Sequence, residues 1–463
     1  MTGRRCKEED TGTMRTWRST GAAAVSALAL VVVAGCGQAS APASGSSAPA
    51  SGGSASAAAN AINLNFWGGW TGPDGDVMRA LVSEFNAAHP DIQVTLTTQQ
   101  WTPLFDKFEL AVKSGNQPDI LGMHGPDIPQ FASASQLEDL TSVVQAAGFT
   151  QADFAAPAWN GSIYQGKQYA FPLDLHMHAV YFNADLFKAA GLTPPTDWIS
   201  GGDFLKLATT LTVDTSGKHP GDPGFDASNI KQYGLSLYNN HHGFFQWYAL
   251  VRQQGDNLLN TDQTQIVVPD QAGVAAWQWL QDLVFKYHVT PVGETSQLQD
   301  FLSGKTAMLI DGPWEIPAMQ KQAGLNWGTF PFPQVFQNKA VWGSGHVLTI
   351  PKQSDGNREK AAETFVAWIV KNSAAWGASG NLPALNAARE GTAFTSLPGR
   401  AGFVAEMPYE VMLPAIPAEA QVFSAAKTSP IVVAAQAILV QDQPIESTMQ
   451  TMFQAMNRLL SGQ

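Results

Sequence analysis

The sequence predicts an α/β fold built as two lobes, and three observations support this prediction. The chain has 463 residues, which is more than one hydrophobic core usually serves. Between residues 63 and 121 the apolar residues follow strand and helix spacings in turn, as expected for a parallel sheet with right-handed crossovers. The stretch from Gly166 to Phe187 then ends one such unit and begins another, so we expect the chain to pass between the lobes there.

The first unit alternates regularly between strands and helices. In chain order its elements are a strand at 63–67, a helix with Val77, Leu81 and Phe85 on one face, a strand at 92–96, a helix at 103–114 and a strand at 118–121. Ligands of such sheets bind beyond the carboxyl ends of the strands. The residues at those ends are 67–71, Gln100 and Trp101, and 124–127.

The crossing stretch begins at Pro172, which cannot donate a backbone hydrogen bond and therefore favours an edge or a crossing point. Asp174, His176 and His178 alternate with apolar residues and would share one face of an extended segment. A buried strand at 179–182 leads into the next helix. Polar groups are therefore expected to line one surface near the point of passage.

Composition indicates a soluble globule with an acidic balance. Apolar residues make up 44% of the chain and charged residues 14%, and the formal net charge is −12. Nucleic-acid binding needs clustered lysine and arginine. Because no basic run follows the N-terminus, a nucleic-acid partner is not expected.

The N-terminus predicts export. Arg15 and Arg18 precede a short apolar run at 21–33, and the sequence Val-Ala-Gly-Cys ending at Cys36 resembles the lipobox of bacterial lipoproteins. The run is shorter than the ~20 residues that span a bilayer. We therefore expect residues 1–35 to be a signal peptide and Cys36 to carry the lipid anchor on the outer face of the cell membrane.

Two further features of the N-terminal region shape this expectation. Met14 is the expected true start, because residues 1–13 lack the character of a signal. After Cys36 the chain to Ala61 is almost entirely alanine, serine, glycine and proline, which predicts a flexible tether over 36–61. Cys6 and Cys36 are the only cysteines, so no disulfide framework is expected in the mature chain.

Seven short segments occur in the order typical of one family. They are Ser114–Ile120, Gly166–Pro172, Tyr181–Phe187, Pro195–Trp198, Phe301–Met308, Asp311–Trp314 and Lys360–Phe365. On these segments, behind a lipobox and a tether, the chain is similar to the extracellular solute-binding proteins of ABC importers, in the sugar-binding family of maltose-binding protein. The resemblance covers nearly the whole mature chain.

The resemblance implies a periplasmic-binding-protein-like fold, in which two α/β lobes are joined by a hinge that the chain crosses several times and enclose a ligand cleft. It places lobe one at 61–173 plus 341–390 and lobe two at 174–340 plus 391–463. It also implies a monomeric, non-catalytic receptor without a cofactor. Such a receptor captures a sugar or oligosaccharide and delivers it to an ABC transporter permease.

Candidate binding residues follow from the chemistry of a pyranose, which has apolar C–H faces and a rim of hydroxyls. Flat walls are expected from aromatic residues that stand beside turn or polar residues. These are Trp70, Trp101, Phe245, Trp247, Trp314 and Trp342. Trp277 and Trp279 follow apolar helical spacing and are predicted to be core residues.

Hydroxyl partners are expected among polar residues of the strand ends and the crossing stretch. These are His124, Asp127, Asp174, His176 and Ser344, with the backbone of Gly343, Ser344 and Gly345 open to a ligand. The resemblance aligns Trp314 with a sugar-stacking tryptophan. It aligns His176 with an acidic contact and Phe423 with a second stacking tryptophan, so these two positions depart from the family pattern.

Two enzyme signatures are present only in incomplete form. Gly304-Lys-Thr306 lacks the first glycine of a phosphate-binding loop, and Gly343-Ser-Gly345 lacks the spacing of a nucleophile elbow. The alternative that stays open is a glycoside-active enzyme, since Asp127 and Asp174 are a pair of carboxylates of the kind that a glycosidase uses.

A second alternative is a receptor for a transition metal. His176, His178, His241 and His242 could converge, and neutral imidazole suits such ions. Spacing alone offers no metal site, and the adjacent His241 and His242 are not expected to point the same way from regular structure. The sequence therefore predicts no metal ligands.

The lipobox generates the first prediction. Cys36→Ser removes the thiol that accepts the lipid, so the variant is expected either to leave the membrane fraction after processing or to stay unprocessed. Membrane fractionation with mass spectrometry of the N-terminus measures both. A processed Cys36→Ser protein that stays in the membrane fraction would refute the lipobox.

Overall fold

A computed structural model describes residues 61–462. The predicted signal peptide, the expected start Met14, the predicted lipid-bearing Cys36 and the predicted tether lie outside this range, apart from Ala61. Within it, no helix is both long enough and apolar enough to cross a membrane.

The described residues form sixteen strands and nineteen α-helices. The strands are β1 (Ile62–Gly68), β2 (Ile92–Thr98), β3 (Ile120–His124), β4 (Ile163–Tyr164), β5 (Lys167–Gln168), β6 (Ala170–Pro172), β7 (Asp174–Met177), β8 (Ala179–Asn183), β9 (Val213–Asp214), β10 (Ile230–Gln232), β11 (Met308–Asp311), β12 (Trp327–Pro331), β13 (Val341–Ser344), β14 (His346–Thr349), β15 (Leu382–Pro383) and β16 (Glu410–Val411).

The helices are α1 (Gly75–Ala88), α2 (Trp101–Ser114), α3 (Ile128–Ser133), α4 (Thr141–Ala146), α5 (Ala156–Gly161), α6 (Ala184–Ala189), α7 (Gly201–Leu211), α8 (His241–Gln253), α9 (Asp270–Phe285), α10 (Gln297–Leu302), α11 (Ile316–Lys321), α12 (Gly356–Lys371), α13 (Ser373–Trp376), α14 (Asn386–Glu390), α15 (Thr392–Thr395), α16 (Ala401–Glu406), α17 (Glu419–Val422), α18 (Pro430–Leu439) and α19 (Ile445–Leu460). Short 3-10 helices occur at Gly125–Asp127, Gln151–Asp153, Pro313–Glu315, Gly377–Ser379 and Met407–Tyr409.

The first lobe is built on a five-stranded sheet in the order β2-β1-β3-β14-β6. The β1 strand pairs in parallel with β2 and β3, as the alternation of elements predicted, while β14 is antiparallel to both β3 and β6. Alternate residues bury opposite faces: Phe66 packs with Phe85 and Phe365, whereas Leu121 packs on the other face with Phe108. Helices therefore cover the sheet on both sides.

The second lobe has a three-stranded antiparallel sheet in the order β11-β8-β12. Helix α8 packs against α9 and α18, and α19 packs against both α9 and α18. Trp277 of α9 is fully buried in this layer, which confirms its prediction as a core residue. The two sheets and their helices give the two α/β lobes that the sequence predicted.

A separate four-stranded sheet, in the order β15-β7-β13-β16, lies where the chain passes between the lobes. Only Leu173 separates β6 from β7, and only Gly345 separates β13 from β14. Because β7 and β13 are antiparallel neighbours, with Ser344 opposite His176, two passages lie side by side. The assignment of the flanking ranges to each lobe stays a prediction.

The carboxylate of Asp174 connects this four-stranded sheet, which we call the hinge sheet, to β14 and α13. Its side chain has no exposed surface, and its oxygens accept hydrogen bonds from the indole N–H of Trp376 at 2.6 Å and the backbone N–H of His346 at 3.0 Å. The Nδ1 atoms of His346 and His176 lie 2.8 and 3.1 Å from the same carboxylate. Four donors from three segments therefore meet on one buried charge.

This network generates a stability prediction. Asp174→Asn replaces an acceptor oxygen by an NH₂ group that faces other donors, so the free energy of unfolding is expected to fall by about 3 kcal/mol. Urea denaturation measures this change. Asp91→Asn, at an exposed position, is the matched control and should change stability little; equal stability of both variants would contradict the role given to Asp174.

Candidate ligand-binding cleft

A cavity of about 850 Å³ lies between the lobes. The first lobe contributes the loop after β1, the start of α2 and the end of β3. The second lobe contributes the start of α8 and the turn after β11, and the segment around α17 and the strands β7, β13 and β14 complete the lining. The lining is Gly69–Gly72, Asp74, Gln100–Pro103, Phe105, Asp106, His124, Pro126, Asp127, His176, Tyr238, Asn240–His242, Phe245, Trp314, Glu315, Trp342, Ser344, His346, Leu413, Glu419, Ala420 and Phe423–Lys427.

Aromatic side chains form the walls of this cavity. Trp101 stands in the first turn of α2, which begins two residues earlier than predicted. From the other lobe Trp314 faces the hinge, with its ring centroid 5.6 Å from that of His176. Trp342 of β13 stacks on Phe245 of α8 at 4.2 Å and 14°. The structure therefore places these four predicted residues around one space.

The position of Trp314 follows from the turn before it. Strand β11 ends at Asp311, and Pro313 begins a 3-10 helix that carries the indole. The indole folds back over Gly312, where a Cβ atom would lie only 2.0 Å from the ring. The carbonyl oxygen of Gly312 also accepts a hydrogen bond from the hydroxyl of Tyr181 at 2.6 Å. A glycine and a proline thus fix the direction of the side chain.

Two predicted wall residues have different positions. Trp70 touches the cavity but is only 1% exposed, and its ring packs edge-on against Phe66 and Trp376, so it supports the wall from behind. The prediction for Trp247 is wrong. It is fully buried, its N–H donates to the carbonyl of Gly273 at 2.9 Å, and it lies about 200° around α8 from the cavity-facing Phe245.

The polar predictions also divide. His124, Asp127, His176 and Ser344 line the cavity, and so does the predicted Phe423. Asp174 does not, because the imidazoles of His176 and His346 lie between it and the open space. Its predicted contact with a ligand hydroxyl is therefore corrected to a role in holding these two rings.

The glycines of the hinge do not line the cavity either. A Cβ atom on Gly343 would lie 2.5 Å from a carboxyl oxygen of Glu410, and one on Gly345 would lie 2.4 Å from the backbone carbonyl oxygen of Asp174. Their small size lets strands pack closely, rather than opening the backbone to a ligand. The prediction for these two residues was wrong, while Ser344 between them faces the cavity.

Burial sets the protonation of the polar lining. It lowers the pKa of His176 to about 3, where repulsion between protonated His176 and protonated His346 adds to the shift, and lowers that of His241 to about 4. Burial raises the pKa of Asp74 to about 7 and that of Glu315 to about 9, where neighbouring carboxylates add to the shift. Near pH 7 His176 and His241 are neutral and Glu315 is protonated, so the lining is less charged than its composition suggests.

Sequence reasoning missed several lining residues. Asp74 lies in the glycine-rich loop after β1, Glu315 follows Trp314 directly, and Glu419 precedes Phe423 by four residues. Asp74 and Glu315 follow the ends of β1 and β11, so proximity to a strand end was the available signal for these two, whereas Glu419 lies one helical turn before the predicted Phe423. His346 directly follows the predicted Ser344 and Gly345, but its position opposite His124 depends on the pairing of β14 with β3, which the sequence does not show.

The four-histidine cluster that the sequence left open as an alternative does not form. Nε2 of His178 lies 2.9 Å from Nδ1 of His242, whereas His176 is held by Asp174. His241 and His242 both line the cavity, contrary to expectation, because they occupy the first turn of α8, whose start is capped by the side chain of Asn240. The histidines that converge most closely are His124, His176 and His346.

Comparison with known proteins places this geometry in context. The family model for "bacterial extracellular solute-binding protein" matches residues 80–402. A "maltotriose-binding protein" of Pyrococcus abyssi is 23% identical over 64% of this chain and 60% of its own length. A "maltooligosaccharide ABC transporter solute-binding lipoprotein" of Streptococcus pneumoniae is 26% identical over 60% of this chain and 62% of its own. The chain thus spans about three fifths of the length of these curated relatives.

Solved structures share the fold. An ABC substrate-binding protein of Listeria monocytogenes in complex with cycloalternan has a TM-score of 0.73 and 22% identity, over 87% of this chain and 99% of its own. A maltose/maltodextrin-binding domain of Bdellovibrio bacteriovorus bound to maltotriose has a TM-score of 0.72 and 18% identity, over 86% and 100%. The fold is therefore that of the maltose-binding-protein-like structures, and the chain belongs to the family of bacterial extracellular solute-binding proteins.

Proposed function

We propose that this protein captures a neutral oligosaccharide in the cleft between its lobes and delivers it to an ABC transporter permease. The observation that carries the proposal is the meeting of Trp101, Trp314 and Trp342 around one cavity that also bears carboxyl and imidazole groups. Indole faces suit the C–H faces of a pyranose, and the polar groups suit its hydroxyls.

The charge of the lining favours a neutral ligand over an anionic one. Five carboxyl side chains line the cavity, at Asp74, Asp106, Asp127, Glu315 and Glu419, against one cationic side chain, that of Lys427. Glu315 is protonated near pH 7, and burial also raises the pKa of Asp74 and Glu419, so not all five carry a full charge. An anionic solute would nevertheless find only the one cationic side chain to pair with in this lining. A polyol can instead donate to the ionised carboxylates and accept from the protonated Glu315.

Size and relatives support an oligosaccharide. A cavity of about 850 Å³ is near the upper end of small-molecule sites, which run to roughly 1,000 Å³. Relatives are named for maltotriose and maltooligosaccharide, and solved structures of this fold hold cycloalternan and maltotriose. Linear maltooligosaccharides are therefore the first ligands to test.

Contacts across the cleft support capture by closure of the lobes. Nζ of Lys321 in α11 lies 3.4 Å from Oδ2 of Asp76 in α1, and this pair stands at the rim of the cavity. The negative charge of Asp74 also raises the pKa of Glu315 on the opposite side of the cleft. These contacts join elements from both lobes around the cavity. A ligand that contacts both walls would stabilise the closed arrangement in the same way.

The proposal includes attachment through Cys36 and a monomeric receptor that performs no chemistry on its ligand. The predicted lipobox and tether support the first part, as do the lipoproteins among the relatives. For the last part, the glycosidase pair suggested by the sequence is not available, because Asp174 is buried behind His176 and its oxygens are already hydrogen bonded. One carboxylate of the pair therefore cannot reach a glycosidic bond.

Thermal denaturation against a panel of solutes tests the function, since a ligand that binds only the native state raises its melting temperature. Maltotriose and longer maltooligosaccharides are expected to raise it, and their anionic or phosphorylated analogues are not. The oligosaccharide should be recovered intact after prolonged incubation. A shift with anionic solutes alone would reject the neutral-sugar proposal, and cleavage lost in Asp127→Asn would establish an enzyme.

Trp314 generates a quantitative prediction. Loss of a stacked indole is expected to weaken oligosaccharide binding by about 2 kcal/mol, so Trp314→Ala should raise the dissociation constant by roughly thirtyfold. Titration calorimetry with the best sugar of the panel measures this change.

Trp198→Ala is the matched control, because Trp198 is also partly buried and lies outside the cavity. It should keep the affinity of the unmodified protein. Equal affinity of the Trp314→Ala variant, together with a large fall in its ligand-free melting temperature, would show that Trp314 is a core residue instead.

A further inference from the structure

We propose that the hinge side of the cleft binds one divalent transition-metal ion of the zinc type on the imidazoles of His124, His176 and His346. Sequence spacing gave no sign of this site, because the three residues come from separate strands. The proposal does not require the cavity to take a sugar, and it fails or succeeds separately from the function proposed above.

The three imidazoles converge closely. One ring nitrogen of each residue lies within 4.8 Å of one ring nitrogen of both others. The ring centroids are 4.4 Å apart for His176 and His346, 5.1 Å for His124 and His346, and 5.7 Å for His124 and His176. Three imidazoles are a ligand set of zinc sites that keep one position open, and the three rings would have to draw closer together to bind one ion.

Strand pairing fixes this convergence. His346 of β14 stands directly opposite His124 of β3, and Ser344 of β13 stands opposite His176 of β7. Only Gly345 separates Ser344 from His346, so both pairings belong to one short segment. The three side chains are therefore held by two sheets and not by mobile loops.

Each imidazole is also oriented by a carboxylate. Nδ1 of His346 lies 2.8 Å from one oxygen of Asp174, and Nδ1 of His176 lies 3.1 Å from the other. Nδ1 of His124 lies 3.2 Å from Asp127. Metal-bound histidines almost always donate their second ring N–H in this way, which fixes the tautomer and leaves the lone pair on Nε2 for the metal.

The Nε2 atoms are free for such a role. Among the residues that the structure describes, none provides a hydrogen-bond partner for Nε2 of His124, His176 or His346, although all three side chains line the cavity. His178 and His242 differ, since a ring nitrogen of each is engaged by the other. Three imidazoles therefore have a free Nε2 atom, whereas His178 and His242 are hydrogen bonded to each other.

The donor set selects the class of ion. Neutral imidazole suits zinc, cobalt, nickel and copper, whereas magnesium and calcium prefer oxygen ligands. The carboxylate of Asp174 behind the rings of His176 and His346 offsets part of the charge of a divalent cation. Zinc–nitrogen bonds of about 2.0–2.1 Å require the rings to draw in by small rotations, and the fourth position then faces the cavity, where water or a ligand hydroxyl can bind.

Titration of the purified, chelator-stripped protein with Zn²⁺ at pH 7.5 tests the site. One equivalent is expected to bind, and Co²⁺ in its place should give the visible absorption of a tetrahedral nitrogen site. His346→Gln and His124→Gln should each weaken Zn²⁺ binding by about a hundredfold or more and abolish the Co²⁺ spectrum. His124 is the more exposed ligand, so its variant keeps the test valid if His346→Gln does not fold.

Two further variants test the carboxylate behind His124 and provide a control. Asp127→Asn should weaken Zn²⁺ binding by roughly ten- to hundredfold, the usual effect of losing an outer carboxylate. His219→Gln removes a histidine outside the cavity and should leave binding unchanged. Zinc binding that is equally tight in His124→Gln, or absent from the unmodified protein, would overturn the proposal.

The sugar panel repeated with chelator and with Zn²⁺ separates this proposal from the proposed function. A protein that binds maltooligosaccharides in chelator but takes up no Zn²⁺ keeps the function and rejects the metal site. A protein that binds one Zn²⁺ through His124 but no sugar keeps the metal site and rejects the function.

Discussion

The buried carboxylate of Asp174 is the constraint on which the rest of the cleft depends. An isolated charge without exposed surface would be unstable by several kcal/mol, and here four N–H groups from β7, β14 and α13 surround it. Burial by itself would raise its pKa, but the neighbouring imidazole of His346 and the hydrogen bonds hold the pKa well below its ordinary range. The charge therefore persists at neutral pH and fixes both the hinge strands and the two imidazoles in front of it.

The lining in front of this network combines apolar faces with polar groups that carry little charge. Trp101, Trp314 and Trp342 come from a helix start, a turn and a hinge strand, so the proposed closure of the lobes would change the distances between them. Protonated Glu315 and neutral His176 keep hydrogen-bonding capacity without demanding a counter-ion. This combination is suited to polyols and explains why the proposed ligand is a neutral sugar.

Sequence reasoning succeeded where local chemistry decides the outcome. The parallel strands of the first lobe follow from apolar spacing, and Trp314 follows from the turn that ends β11. It failed for Trp247, because a spacing of two residues from Phe245 places this tryptophan on the opposite face of α8, although histidines stand nearby in the sequence. It also failed for Asp174, since strand alternation gives the side of a residue and not its depth. The convergence of His346 on His124 depends on long-range register, which no single sequence reveals.

The proposed function requires a neutral oligosaccharide that is held between the two lobes against indole faces. A crystal structure of the protein grown with its tightest-binding maltooligosaccharide measures this most directly. In that structure a sugar ring is expected to stack on Trp314, with hydroxyls within hydrogen-bond distance of Asp127 or Glu315 and contacts from both lobes. A sugar bound outside the cleft, or inside it without contact to any of the three indoles, would contradict it.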